Sequence, residues 1–360
     1  MSNALKAEKP PRTRPALKLV KTQDLNRDQW LQVRKGGIGS SDSAAAVGLN
    51  PYKSQLELWM EKTGQDEQLP KVDPQDESSP LYWGTLLEPI VAAHYTRRTG
   101  NKVRRVNAVL QHPSEPWMLA NLDREVMGTP EVQILECKTA GINGARLWKD
   151  GVPEYVQLQV MHQLAVTGSR AADVAVLIGG QDLQVHRIER DEALIANLMA
   201  LERQFWGHVQ RCEPPPADGS DSADVALRAL YPRDSGQTLD LSQDFEMSAA
   251  FSDLLAVRQV IATHNALEAQ LKQRIQQRMG EASQAKWSLP PDCRSGRAGP
   301  NSRWNHEGFA GRVGPRRSNG TLARSPGPCA RSSSPSSPPP RPSPPPTSRT
   351  PRWWWCAARP

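Results

Sequence analysis

The chain has 360 residues, enough for two average domains or one larger domain with appendages. Its formal net charge of +7 is unevenly placed: from Lys286 onward there are 13 Lys+Arg against 2 Asp+Glu, which leaves −4 for residues 1–285. Bulk charge is therefore no argument for nucleic-acid binding by the body of the chain. No run of about 18 apolar residues and no apolar N-terminal stretch occurs, which excludes the usual signatures of a membrane span or a secretory signal and points to the cytoplasm. Cys137, Cys212, Cys293, Cys329 and Cys356 are odd in number and far apart, a pattern that argues against a disulfide framework or a CxxC zinc site.

In chain order, residues 1–22 are Lys/Pro-rich and read as a flexible basic arm. A short helical pattern follows and turns at Gly36-Gly37. Ser40, Ser41 and Asp42 can each cap the helix that starts at Ser43 and closes at Gly48. Such a turn is either a plain capped helix or, with Arg34 just upstream, a phosphate clamp. Tyr52 to Gly64 reads as an amphipathic helix through Leu56, Trp59 and Met60. Leu81 to Gly100 has a strong helical period through Trp83, Leu87, Ile90, Val91 and His94. Glu88 sits on the flank of that stripe, where a carboxylate is a surface group unless it is paired or bound to a metal.

Three strands are expected next, at 102–111, 117–122 and 132–137, with Gly128, Thr129 and Pro130 supplying a turn. If the last two are neighbours, Asp123, Glu136 and Lys138 meet on one face, because strand side chains alternate and Cys137 points into the opposite layer. Two carboxylates on adjacent strand ends suit Mg2+, which keeps several waters and takes phosphate oxygens as ligands. A bound metal activates water, and a lysine two residues away can orient that water or neutralise developing charge. As a bare pattern, D-x12-E-x-K is equally a surface ion pair. Pro153 opens a helix ending at Gly168, on which Gln159 and Gln163 share a face at i, i+4 spacing. Two strands, 172–179 and 183–188, and a helix from Asp191 to about Arg211 complete an α/β (α+β) core with a central mixed sheet flanked by helices.

Five segments carry a family resemblance: VRKGGIGSSDSAAAVGLNPYKSQLELWMEKTG, YWGTLLEPIVAAHY, ANLDRE, ILECKTA and VPEYVQLQVMHQLAVTG. Together they resemble the YqaJ-type viral recombinases, the phage lambda exonuclease group of the PD-(D/E)XK nuclease superfamily. The resemblance implies a restriction-endonuclease-like core over residues 23–212. It implies Asp123, Glu136 and Glu88 as metal ligands, Lys138 as the catalytic lysine and Gln159 as a further catalytic side chain. Arg34 and Ser41 would hold the 5′-phosphate, and Ser40 and Tyr155 would touch DNA. Met161 departs from the family's Q-x-Q-H-Q run.

The implied activity is a Mg2+-dependent 5′→3′ exonuclease, with Mn2+ as a substitute ion. It acts on double-stranded DNA ends and leaves a 3′ overhang for a single-strand annealing protein. Members can form trimers around DNA, in a bacterial or phage-infected host cell. The alternatives are a non-catalytic DNA-end binding protein, which intact Glu88, Asp123, Glu136 and Lys138 argue against, and a RecB- or Cas4-like nuclease of the same superfamily.

Beyond the core, residues 213–242 read as a linker. Residues 243–285 read as a helical segment that packs on the core, or serves assembly, through Leu254, Leu255, Val257, Ile261, Leu267, Leu271 and Ile275. The Pro/Arg/Ser-rich residues 286–360 cannot build a packed core. They read as disordered, being either an Arg-rich nucleic-acid-binding tail or a frameshifted extension.

Overall fold

The computed structural model describes residues 16–71, 73–282, 284–286 and 303–305, so the expectations for residues 1–15 and for nearly all of the C-terminal tail lie outside the described residues. The described residues form two compact units, one up to Ser235 and one from Gly236.

In the first unit, β1 (Leu17–Lys21) leads to α1 (Arg27–Lys35), whose Asn26 and Gln29 form a reciprocal capping box. Next come β2 (Ile38–Gly39), a 3-10 turn over Ser40–Asp42 and α2 (Ser43–Ala46), which is a single buried helical turn. Helix α3 (Gln55–Thr63) starts at the Ser54 cap and ends at Gly64 in the left-handed region, as its residue pattern requires. Helix α4 (Pro80–Thr99) opens with proline in its first turn and ends at Gly100. Its buried stripe is Val91, Ala92 and Tyr95. Trp83, Ile90 and His94, expected on that stripe, are exposed, because the core lies to one side of the predicted face.

The sheet region differs from the expected single sheet. The 102–111 strand breaks into β3 (Lys102–Arg105) and β4 (Ala108–Gln111), and the two halves join different sheets. After β5 (Met118–Ala120) comes β6 (Arg124–Met127), then β7 (Ile134–Ala140), α5 (Glu154–Thr167), β8 (Ala171–Ile178) and β9 (Asp182–Glu189). One sheet has the order β1-β4-β5-β2 and the other β3-β6-β7-β8-β9. In the larger sheet β7 and β8 are parallel, joined by the α5 crossover, and every other pair is antiparallel. The 117–122 run is thus not the neighbour of β7. That place belongs to β6, whose Arg-Glu-Val-Met sequence carries too little apolar signal to read as a strand.

Strand β1 corrects the flexible-arm expectation for residues 17–21, since its register with β4 ties this segment to the small sheet. On the other edge, Ile38 and Gly39 pair in parallel with Met118 and Leu119. Gly37 permits this approach: a Cβ there would stand 2.5 Å from the Trp117 carbonyl oxygen and 2.8 Å from the Leu119 side chain.

Two layers cover the larger sheet. Val156, Val160 and Leu164 of α5 pack with Ile134, Val174 and Val176 on one face, while Val91, Ala92 and Tyr95 of α4 pack with Leu135, Val126 and Ala175 on the other. Helix α6 (Glu192–Arg211) contributes Ile195 and Leu198 to the α5 layer and Phe205 to a smaller cluster around α3. The expected linker 213–242 contains α7 (Asp221–Leu230), which buries Ala223 and Ala226, and its Ser222 hydroxyl donates to Glu57 at 2.5 Å and lies 3.0 Å from the Ser54 hydroxyl. Asp/Ser-rich composition concealed a short capped helix. Cys137 is a free thiol.

The second unit holds α8 (Phe245–Met279), capped by Asp244, and an antiparallel pair β10 (Gln284–Lys286) and β11 (Arg303–Asn305). None of the residues of α8 is buried.

One buried ion pair joins α5 to α6. His162 and Glu202 are fully buried, with Nδ1 2.7 Å from Glu202 Oε1 and Nε2 2.9 Å from the Leu119 carbonyl. An imidazolium suits both neighbours, donating from Nε2 to the Leu119 carbonyl and from Nδ1 to Glu202. Burial opposes that charge, but Glu202 outweighs it and holds the His162 pKa above its ordinary value. A raised folded-state value contributes stability that is complete below the unfolded pKa and is lost as pH rises through the folded one. Denaturant unfolding should therefore show stability falling as pH rises above about 6.5. Glu202→Gln should flatten that dependence and cost about 3–5 kcal/mol near neutrality.

Candidate active site

Strand alternation sends Glu136 and Lys138 toward α5 and Leu135 and Cys137 toward α4. Glu136 is 2% exposed. Lys138 Nζ lies 2.7 Å from Glu136 Oε1 and donates to Gln159 Oε1 at 2.9 Å, while Gln159 Nε2 donates to Glu136 Oε1 at 2.6 Å. One turn further along α5, Gln163 Nε2 donates to Glu136 Oε2 at 2.7 Å. Both carboxylate oxygens are thus held from a single helix face. Burial works against charge on Lys138, but Glu136 and then Asp123 outweigh it and hold its pKa above the ordinary value.

Asp123 lies between β5 and β6, and its Oδ2 accepts from the Cys137 backbone N–H at 2.8 Å. That bond ties the aspartate to the strand carrying Glu136 and Lys138, so the three expected residues do meet. Burial first, and then the neighbouring Glu136, push the Asp123 carboxyl well above the usual carboxylate range. The same two influences, burial first and the carboxylates next, push the Cys137 thiol up. Glu88, on α4, faces this cluster but is held by Arg124: Nη1 is 2.5 Å from Glu88 Oε1 and also donates to the Asp123 carbonyl at 2.6 Å. Arg105 adds a longer contact to Glu88 at 3.7 Å.

The turn upstream is organised by Asp42. Arg34 Nη2 donates to Asp42 Oδ1 at 2.7 Å and to Ser41 Oγ at 2.9 Å, and its guanidinium lies 4.9 Å from the Trp30 ring centroid. Lys62 Nζ donates to Asp42 Oδ2 at 2.7 Å and to the Arg34 carbonyl at 2.9 Å. Burial would raise the Asp42 pKa, yet Lys62 and Arg34 together hold it well below the ordinary carboxylate value, and burial in turn lowers that of Lys62. Asp42 does not cap α2 with its side chain; its Oδ2 instead accepts from Gly39 N–H at 3.2 Å. A one-turn helix offers no N-terminal anion site, so the expected clamp rests on Arg34 and Ser41 alone. Ser40, expected to touch DNA, is 4% exposed, whereas Ser41 is open to solvent. Tyr155 stands edge-on to Tyr52, with centroids 5.8 Å apart.

Residues 29–170 match the YqaJ-like viral recombinase domain family. The chain is 41% identical over 229 residues to the uncharacterized protein YqaJ of Bacillus subtilis (strain 168), a match covering 62% of this chain and 70% of that protein. The chain belongs to the YqaJ-like viral recombinase family. The enzyme class that the motifs imply, a recombination nuclease, stands with that membership. Among solved structures, an alkaline exonuclease from Laribacter hongkongensis is similar at 23% identity, covering 51% of this chain and 92% of that one with a TM-score of 0.41. A phage related exonuclease from Haemophilus somnus 129PT is similar at 9% identity, covering 50% and 96%, with a TM-score of 0.34.

In this YqaJ-like chain, no group of three or more His, Cys, Asp or Glu is arranged as a metal cage among the described residues. The donor chemistry nonetheless fits a hard cation at Asp123 and Glu136. Burial and then the neighbouring Glu136 raise the Asp123 pKa, and a cation between the two carboxylates would oppose both effects. Gln163 Oε1 is buried beside them without a hydrogen-bond partner among the described residues. Mg2+ needs only one or two protein carboxylates because it keeps its waters. Glu88 has its Oε1 engaged by Arg124 and Arg105.

Gln163 was read only as the face-sharing partner of Gln159, and Asp42 only as a helix cap. Arg124 and Lys62 escaped the sequence reading, because their side-chain partners Glu88 and Asp42 lie 36 and 20 residues away. Asp42→Asn should leave Lys62 as an unpaired buried charge and release Arg34, lowering stability by about 3–5 kcal/mol in chemical denaturation. The double change Asp42→Asn with Lys62→Met should recover part of that loss.

Proposed function

We propose that this chain is a Mg2+-dependent 5′→3′ exonuclease that acts on double-stranded DNA ends and exposes a 3′ overhang for a single-strand annealing protein. The observation that carries the reading is the Glu136 carboxylate gripped by Lys138, Gln159 and Gln163 beside Asp123, which the Cys137 backbone N–H ties to the same strand. Such a cluster concentrates negative charge at one fixed place and puts a single ammonium next to it. Bound Mg2+, or Mn2+ in its stead, would supply water activation and charge neutralisation at the attacked phosphate.

The chain's own residues do the rest. Asp123 and Glu136 would hold the ion. Lys138, a quarter exposed at its side chain, is turned far enough outward to reach a phosphate oxygen or the attacking water. Gln159 keeps the ammonium and the carboxylate in one plane of hydrogen bonds. Glu88 would trade Arg124 for the ion or stay to orient Arg124. Arg34 and Ser41 would take the terminal 5′-phosphate through the guanidinium nitrogens that Asp42 leaves unused. Tyr155 supplies an aromatic surface near Lys138 against which DNA can rest. A trimeric assembly and a cytoplasmic site of action in a bacterial or phage-infected cell belong to the same reading. Among the described residues no helix is long and apolar enough to cross a membrane.

Digestion of linear duplex DNA with and without 5′-phosphate tests this. Loss of the 5′-phosphorylated strand is expected in Mg2+ and not in EDTA, and Arg34→Ala should shrink the preference for phosphorylated ends. Cleavage that persists in EDTA, or that attacks closed circles equally well, would contradict the reading.

A further inference from the structure

An aromatic corner stands beside the Lys138 cluster. Tyr155, in the first turn of α5, is half-buried against the core and lies one turn before Gln159, which bonds both Glu136 and Lys138. Burial first, and then Tyr52, push the Tyr155 hydroxyl up while Lys138 pulls it down, so the three groups share one neighbourhood. Tyr52 meets Tyr155 edge-on, with the ring planes at 88° and the centroids 5.8 Å apart, yet 65% of Tyr52 stays open to solvent.

Tyr52 is exposed but not loose. Asn50 Oδ1 accepts from the backbone N–H groups of Tyr52 at 2.8 Å and Lys53 at 3.2 Å, closing an Asx turn around Pro51. Past the turn, Lys53 Nζ is 2.6 Å from Glu61 Oε1, Ser54 caps α3, and Gln55 Nε2 donates to the Ala46 carbonyl at 2.7 Å. The loop is thereby fastened to both α2 and α3. Little is left to order when a ligand arrives. An open aromatic ring held in this way is a stacking platform, and a nucleobase is the ligand it suits.

The substrate fixes which base that is. Within a duplex the neighbouring bases cover each π-face, so only a base at the end has a face to offer. An exonuclease cuts the phosphodiester next to the end, so the nucleotide brought to Lys138 is the one with the open base. We propose that Tyr52 is a substrate-binding residue that stacks on the terminal base of the strand being degraded and so seats its first phosphodiester at Lys138. Stacking on a π-face is indifferent to base identity, as degradation through any sequence requires. The inference rests on the exonuclease reading of Glu136 and Lys138.

A cycle that removes each partner in turn tests it. The full chain carrying Lys138→Ala is titrated, by fluorescence anisotropy, with a 5′-phosphorylated DNA hairpin that has one open end and a 5′-terminal nucleotide either intact or abasic. With Tyr52 in place, loss of the base should weaken binding about tenfold. Tyr52→Ala should weaken binding of the intact hairpin by about the same factor and should make loss of the base without effect. Tyr52→Phe should behave as tyrosine does, because the ring and not the hydroxyl makes the contact. Equal affinity for intact and abasic ends with Tyr52 in place, or a Tyr52→Ala chain that still distinguishes them, would overturn the inference and leave the exonuclease reading standing. A chain that binds no duplex end would overturn both.

Discussion

The Glu136 carboxylate is the constraint around which the candidate site is built. It is almost wholly removed from water, and a buried anion must be paired and hydrogen-bonded to be tolerated. Lys138 supplies the charge from the same strand, and Gln159 and Gln163 supply the hydrogen bonds from the crossover helix. The β7–α5–β8 unit cannot shift its register by one residue without taking Glu136 and Lys138 to the opposite face. The fold and the site are therefore one specification. Asp123 joins through a backbone bond to Cys137, and burial and then Glu136 raise its pKa against the opposing pull of Lys138.

Two further buried charge clusters join elements distant in sequence. Asp42 binds Arg34 and Lys62 together and so links α1, the 3-10 turn and α3. His162 and Glu202 link α5 to α6, with the Leu119 carbonyl fixing the small sheet to both. Ion pairs of this kind cost desolvation, so their return is geometry more than stability. Here the geometry is the placement of Arg34 beside Ser41 and of α5 against the small sheet.

What was legible in the sequence follows the range of the interactions. Glu136, Lys138 and Cys137 could be read from strand alternation alone, and Gln159 with Gln163 from helical spacing. Asp123 was recognisable as a residue but misplaced as an element, because β6 is short and charged and the apolar run before it belongs to the other sheet. The split of 102–111 between two sheets was not legible, since both halves carry the same period. Likewise α7 was hidden by a linker-like composition, and β1 by the Lys/Pro-rich arm around it. Glu88 was recognised as a carboxylate needing a partner, but whether that partner was a cation or Arg124 depended on β6. The long-range partners Lys62, Arg124 and Glu202 had no local signature.

The central claim is that Lys138 acts on the reacting phosphate or its water while Glu136 and Asp123 hold the ion. Lys138→Ala, assayed in parallel for duplex-end binding and for strand degradation in Mg2+, tests it most directly. The account predicts unchanged binding within a few-fold and cleavage reduced by about 10²–10³-fold. Near wild-type cleavage by Lys138→Ala would contradict it.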